Sequence, residues 1–549
     1  MGGSRSRSGC WTCRAKTAKK RCDQQRPSCG RCSRLNLSCD YSARPTLAER
    51  RRAQESRTLV HTRNAGDSTA IEVLPAVASS NSISLPLAVP QPPTPAPAAC
   101  SLTLSTEDHE AIRYFRTDFA RLHHTKDPSY SLISLMFKIA QKSPMVMHMV
   151  IALGLQEMHS HRRDTQDRSE QHSLPHYSSA LRLLGDGLET QNTDDLDALL
   201  TALWLMLLYE QQFGDSECRA YSSHLTGVAS LLQLRGRRFL IPCRLSIGTL
   251  HTSLGRTVES VVAEEQTKIS IYSARMLLWI TLLDAAAASS GVGGCVNAAM
   301  ITLLLSTSAD SADRPQDPIK AFSAFHRYSN SLYRLSWGDA YPQSELLDDV
   351  ENRNVYDLLG QCANLRFMVA QLATYYRRCP EEAAAKSFGI GNSIDEVGER
   401  FQELIEVADE LSMATDNSHR LVANMRAIVP MYHAVVLDFM RVTAFDKPLG
   451  ERQRRALKGI MNLAYQSFKH GGDQATARVA WPLFLAVLET DDMLHRDWIL
   501  DRFTAFRKYG KNYERARRFL EQTIPRQQSI GKRIDLRDQM EKLELFVLG

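Results

Sequence analysis

At 549 residues the chain is too long for one hydrophobic core and is expected to divide into domains. Its hydrophobic content of 43% and charged content of 23% are those of an ordinary soluble protein, and no stretch makes a convincing membrane span. The net charge of +6 hides an asymmetry: residues 1–63 hold sixteen Lys and Arg against four Asp and Glu, a balance of +12, so residues 64–549 carry −6. The basic end is therefore the one suited to a polyanion.

Residues 1–9 are polar and rich in Arg and Ser, and are expected to be a disordered tail. Arg5 and Arg7 stand where the apolar region of a signal peptide would begin, which argues against secretion and against a disulfide framework. Six cysteines follow, Cys10, Cys13, Cys22, Cys29, Cys32 and Cys39, in which a Cys-x2-Cys-x(6–8)-Cys unit occurs twice. Cys-x2-Cys lets two thiolates grip one tetrahedral zinc from a tight turn. Six sulfurs cannot give two zinc ions four private ligands each, so two must bridge. In a duplicated unit the natural bridges are the first cysteine of each copy, Cys10 and Cys29. Such a site has no position open for water and is structural. Six thiolates and two zinc ions sum to −2, so attraction to a polyanion must come from the surrounding Lys and Arg.

The stretch resembles the fungal binuclear zinc cluster, the Zn2Cys6 DNA-binding domain. Arg14 after the second cysteine, Lys19, Lys20 and Arg21 before the third, and Pro27 before the fourth match that family's pattern. One spacing departs from it: eight residues separate Cys13 from Cys22 where the family has six. The resemblance implies a pair of residues on a short helix whose end enters the major groove. Counted from Cys13 they are Lys16 and Thr17; counted from Cys22 they are Ala18 and Lys19. Lys16 and Lys19 are thus joint candidates for the base contact, with Arg14, Lys20 and Arg21 on phosphates. Two extra residues turn a helix by about 200°, so either a loop absorbs them or the reading face moves. The resemblance further implies two zinc ions, double-stranded DNA with CGG-like half-sites, and work in the nucleus.

Residues 40–63 form a basic extension in which Thr46 and Glu49 have the form of a capping box opening a helix through Arg50, Arg51 and Arg52. The triple Arg reads equally as a solvated face, a phosphate contact or part of a nuclear import signal. No apolar heptad follows, so a homodimer through a coiled coil is not expected. Residues 64–104, with seven prolines and almost no charge after Glu72, are expected to be a disordered linker.

From 105 to 522 the pattern is helical almost throughout, an all-α regulatory domain, with 523–549 expected as a partly helical tail. Ser105 and Asp108 form a second capping box ahead of Ile112, Phe115, Phe119 and Leu122. Asp194 and Asp195 cap an apolar helix over 196–212, and Gly214 and Asp215 end it. A further helix is expected to open at Ser393. The segments Leu199–Gly236 and Ala480–Phe503 resemble parts of the fungal-specific transcription factor domain that accompanies these clusters.

Other constellations have plainer readings. His224 with Gly227 suggests a close helix contact. His159, His161, His172 and His176 lie in a polar stretch that reads as a surface loop. The acid pairs Asp194/Asp195, Asp348/Asp349, Glu381/Glu382 and Asp491/Asp492 fall near expected helix starts or on exposed faces. Gly291–Gly294 lacks the strand-turn-helix setting of a phosphate loop, and nothing argues for catalysis. The expected function is a sequence-specific transcription factor working with transcription machinery or co-regulators, the pathway being metabolic or a secondary-metabolite gene cluster. The alternative is a zinc-cluster interaction protein that does not itself read DNA.

Overall fold

Every regular element among the described residues is helical, in keeping with the mainly α fold expected from periodicity. The computed structural model describes residues 22–34, 39, 102–162, 166–189, 195–240, 269–306, 317–413 and 419–549. The chain forms two compact units, Met1–Gln91 and Pro92–Gly549. The described part of the first holds one short helix, α1 (Gly30–Arg34).

The larger unit opens as local rules demand. Ser105 accepts from the Asp108 amide while the Asp108 carboxylate accepts from the Ser105 amide, and this reciprocal cap starts α2 (Thr106–Tyr114). A π turn over Phe115–Phe119 extends it and buries both phenylalanines, stacked with ring centroids 4.6 Å apart. The antiparallel partners α4 (Pro144–Arg162) and α5 (Gln166–Glu189) follow α3 (Leu132–Ala140). Asp195 caps α6 (Leu196–Phe213) by accepting from the Ala198 amide at 2.9 Å. Gly214 ends that helix, and α7 (Arg219–Leu240) folds back on it. With α8 (Ile271–Ser289), α9 (Cys295–Ser306), α10 (Pro318–Ser329) and α11 (Leu332–Trp337) these helices enclose one apolar core. Helix α8 is long and apolar enough to cross a membrane, yet 78% of its apolar window is buried in this domain.

Helix α12 (Gln343–Glu351) buries no side chain, and a second core is built by α13 (Arg353–Arg378), α14 (Pro380–Arg400), α15 (Gln402–Glu410), α16 (Arg420–Thr443), α17 (Glu451–Ala477), α18 (Ala480–Glu489), α19 (Met493–Phe506) and α20 (Lys511–Ile530). Every residue of α18 is buried. Two expectations are corrected here. Ser393 does not open a helix: Pro380 at the first helical position starts α14 thirteen residues earlier, and the break falls at Phe401. Nor does 523–549 form a tail. Helix α20 runs on to Ile530, α21 (Leu536–Lys542) follows, and the last residues insert between the two cores.

That insertion follows the two-residue alternation of an extended chain. Phe546 and Leu548 enter the second core and Val547 the first, all at 1–2% exposure. Phe546, Phe484 and Phe519 form a triangle with centroids 5.5–5.6 Å apart. The carbonyls of this extended segment accept from Arg366, Asn512 and Ser290, so they are paired without a sheet. Phe546→Ala is expected to cost about 3–5 kcal/mol, read from the urea midpoint of the full chain; an unchanged midpoint would contradict the wedge.

Acid should weaken the same fold. Burial holds the imidazoles of His224 and His433 down to about 4, and burial with nearby guanidiniums holds His326 down to about 3. These groups stay neutral when folded but take a proton when unfolded, so stability present at neutral pH is lost as pH falls through 6.5 towards 4. Each contributes a slope of at most about 1.4 kcal/mol per pH unit. Urea midpoints that do not fall between pH 7 and 5 would contradict this.

Candidate metal centre and nucleic-acid interface

Helix α1 is set by its preceding loop. Asp23 bends back so that its Oδ1 accepts from the Gln25 amide at 3.3 Å and its Oδ2 from the Gly30 amide at 2.9 Å. The second bond caps the first turn of α1. A Cβ at residue 30 would lie 2.7 Å from Asp23 Oδ2, so any larger residue would push this carboxylate aside. The turn brings three sulfurs together. The Sγ atoms of Cys29, Cys32 and Cys39 all lie within 4.8 Å of one another, and Cys29 and Cys32 are fully buried. The Cys32 amide donates to Cys29 Sγ at 3.4 Å and the Cys29 amide to Cys39 Sγ at 3.2 Å. Backbone donors of this kind favour a thiolate over a thiol.

A second group within the same span joins Cys22, Asp23 and Cys29. Cys29 thus belongs to both groups, as the sulfur count requires of a bridge. Tetrahedral zinc with bonds of about 2.3 Å sets sulfurs roughly 3.8 Å apart, so the arrangement fits the ion. The zinc supplies a fixed cross-link for a segment too short to bury a core. Cys10 and Cys13, with Arg14, Lys16, Lys19, Lys20 and Arg21, lie outside the described residues, as do 1–9 and 40–101. Asp23 was missed by spacing rules, since its role appears only when the loop folds back seven residues.

The other constellations resolve into structure, with corrections. His224 is buried and bonds the Tyr177 hydroxyl at 2.8 Å, but a methyl group in place of the Gly227 hydrogen would meet nothing within 4 Å among the described residues, which show no close helix contact there. The four histidines sit on the packed pair α4 and α5 and not on a loop. His161 Nδ1 lies 2.8 Å from the Tyr114 hydroxyl, His176 lies 2.9 Å from His148, and His172 pairs with Glu107. Asp348 and Asp349 close the end of α12 and face buried cations: Asp348 pairs with Arg420, and Asp349 with the fully buried Lys126. In Gly291–Gly294 the anion is internal. The Asp284 carboxylate accepts from the amides of Gly294 and Asn297 at 2.8 Å each, filling the place a phosphate would take.

Two family descriptions match the chain. The fungal Zn(2)-Cys(6) binuclear cluster domain matches residues 8–47, and the fungal specific transcription factor domain matches residues 110–547. Over 41 residues the chain is 54% identical to Transcriptional regulatory protein UME6 of Saccharomyces cerevisiae, a stretch of 8% of this chain and 5% of that protein. No solved structure matches the chain.

A bridging role for Cys29 would have a stoichiometric consequence. Cys29→Ala is expected to remove both zinc ions from the native mass spectrum of the full chain, whereas Cys32→Ala should leave a one-zinc species. Retention of a zinc by Cys29→Ala in the same yield as by Cys32→Ala would contradict the shared position.

Proposed function

Because the chain belongs to the fungal specific transcription factor domain family and carries that family's binuclear zinc cluster at its N-terminus, we propose that it is a sequence-specific, DNA-binding regulator of transcription. In this reading Cys10, Cys13, Cys22, Cys29, Cys32 and Cys39 hold two zinc ions, with Cys10 and Cys29 shared. The observation that carries it is the membership of Cys29 in both ligand groups. Metal binding of about 10–16 kcal/mol in small domains is folding energy, and thirty residues have no other source of that size.

The folded head presents Lys16 or Lys19 to the major groove, where an ammonium donates to guanine O6 and N7. Arg14, Lys20 and Arg21 hold phosphates and set orientation without reading sequence. The resemblance supports CGG-like half-sites and action in the nucleus. The helical domain receives co-regulators or a signal, and control of a metabolic or secondary-metabolite gene cluster is the biology this architecture suits best.

Selection of bound sequences from random duplexes by the zinc-loaded chain tests the reading. A CGG-containing consensus is expected. Of Lys16→Ala and Lys19→Ala, one should lower discrimination by about 1–3 kcal/mol at one base pair, and the other should weaken binding to all duplexes alike. Equal retention of random and selected duplexes would overturn the proposal.

A further inference from the structure

A cavity of about 380 Å³ lies in the helical domain between α13, α16, α18 and the C-terminal segment. Its volume falls within the range of small-molecule sites, roughly 300–1,000 Å³. Trp481, Phe484, Phe445 and Leu485 supply an apolar, largely aromatic wall, and Phe546 and Leu548 of the inserted C-terminus close one side. Set into that wall are charged groups that the fold does not use up.

Arg366 is buried, stacks on the Trp481 ring at 3.8 Å and, among the described residues, bonds only Ser289 Oγ and the carbonyls of Ala286 and Leu548. Arg537 bonds Thr374 and the carbonyls of Ala288 and Ala370. Among the described residues neither guanidinium has a carboxylate within ion-pair distance. Arg441 shares Glu489 with Arg533, and its buried Nε–H has no partner among the described residues. Asp438 lines the cavity within the field of these cations, and it makes no hydrogen bond or ion pair among the described residues. Burial raises its pKa and the guanidiniums of Arg366, Arg537 and Arg441 lower it, with burial the larger effect. A chamber with an excess of cations, an unused donor and an unused carboxyl is costly to leave empty of a counter-charge.

We propose that this cavity is a binding site for an apolar organic anion, its ring or chain against Trp481, Phe484 and Leu485 and its charged head against Arg366, Arg441 and Arg537. Asp438 offers the occupant an acceptor for an N–H or O–H donor. The wall includes the C-terminal segment, so an occupant joins that segment to α13, α16 and α18 and stabilises its docked position. Such a ligand would be the signal that the regulatory domain of the preceding reading lacks.

Anilinonaphthalene sulfonate, an aromatic anion of suitable size, is the probe, titrated into the zinc-loaded full chain and followed by its fluorescence and by calorimetry. Saturable binding of one dye per chain is expected, with neutral phenylnaphthylamine at least about tenfold weaker. Ala373 lines the cavity, and Ala373→Trp fills it without removing a hydrogen bond; affinity should drop at least about tenfold. Should that variant not fold, Ala373→Leu carries the same comparison with a smaller loss. Equal affinity for the neutral dye, or unchanged binding by a filled variant that melts like the natural chain, would overturn the inference. Dye binding by a chain that fails to select DNA would leave this site standing and count against the transcriptional reading alone.

Discussion

Two metal ions that each need four sulfurs, in a segment that holds six, force the sharing of thiolates, and the cluster depends on that sharing. A thirty-residue stretch has too little apolar surface to fold by burial. Charge–sulfur bonds replace the missing core, and the backbone prepares them: Asp23 draws the loop onto α1, Gly30 allows it, and amide donors point at Cys29 and Cys39. Because the cluster itself is anionic, its affinity for DNA must come from the cations beside it. Metal and basic residues therefore divide the work, one supplying rigidity and the other attraction.

The helical domain meets the opposite problem, having apolar surface enough for two cores and needing a tie between them. The last residues provide it, with Val547 facing one core and Phe546 and Leu548 the other. Arg366 anchors the same segment through the Leu548 carbonyl while stacking on Trp481 of α18. The tie and the cavity thus share residues, which makes the chamber a place where occupancy and the docking of the C-terminus are coupled.

Features governed by local rules were legible in the sequence. The reciprocal cap of Ser105 and Asp108, the cap at Asp195 and the stop at Gly214 each depend on residues within four positions of one another. What escaped depends on distance along the chain. Ser393 carries a capping pattern but lies inside α14, since an earlier start at Pro380 with Glu381 and Glu382 in the first turn wins. Phe546 finds its partners at Phe484 and Phe519, and no periodicity in a seven-residue terminus announces that. The paired acids Asp348 and Asp349 look solvated in sequence because their partners, Lys126 and Arg420, are 223 and 72 residues away. Within the candidate site, the cysteine pattern implied a shared Cys29, while the capping role of Asp23 had no signal in spacing.

Asp23 also defines the sharpest alternative at the metal centre, because its carboxylate lies within 4.8 Å of the Cys22 and Cys29 sulfurs. Zinc K-edge absorption on the zinc-loaded chain separates the two arrangements directly. The account predicts a shell of sulfur alone at about 2.3 Å, with a second zinc visible beyond it. An oxygen or nitrogen neighbour at about 2.0–2.2 Å, or zinc without a metal neighbour, would contradict it.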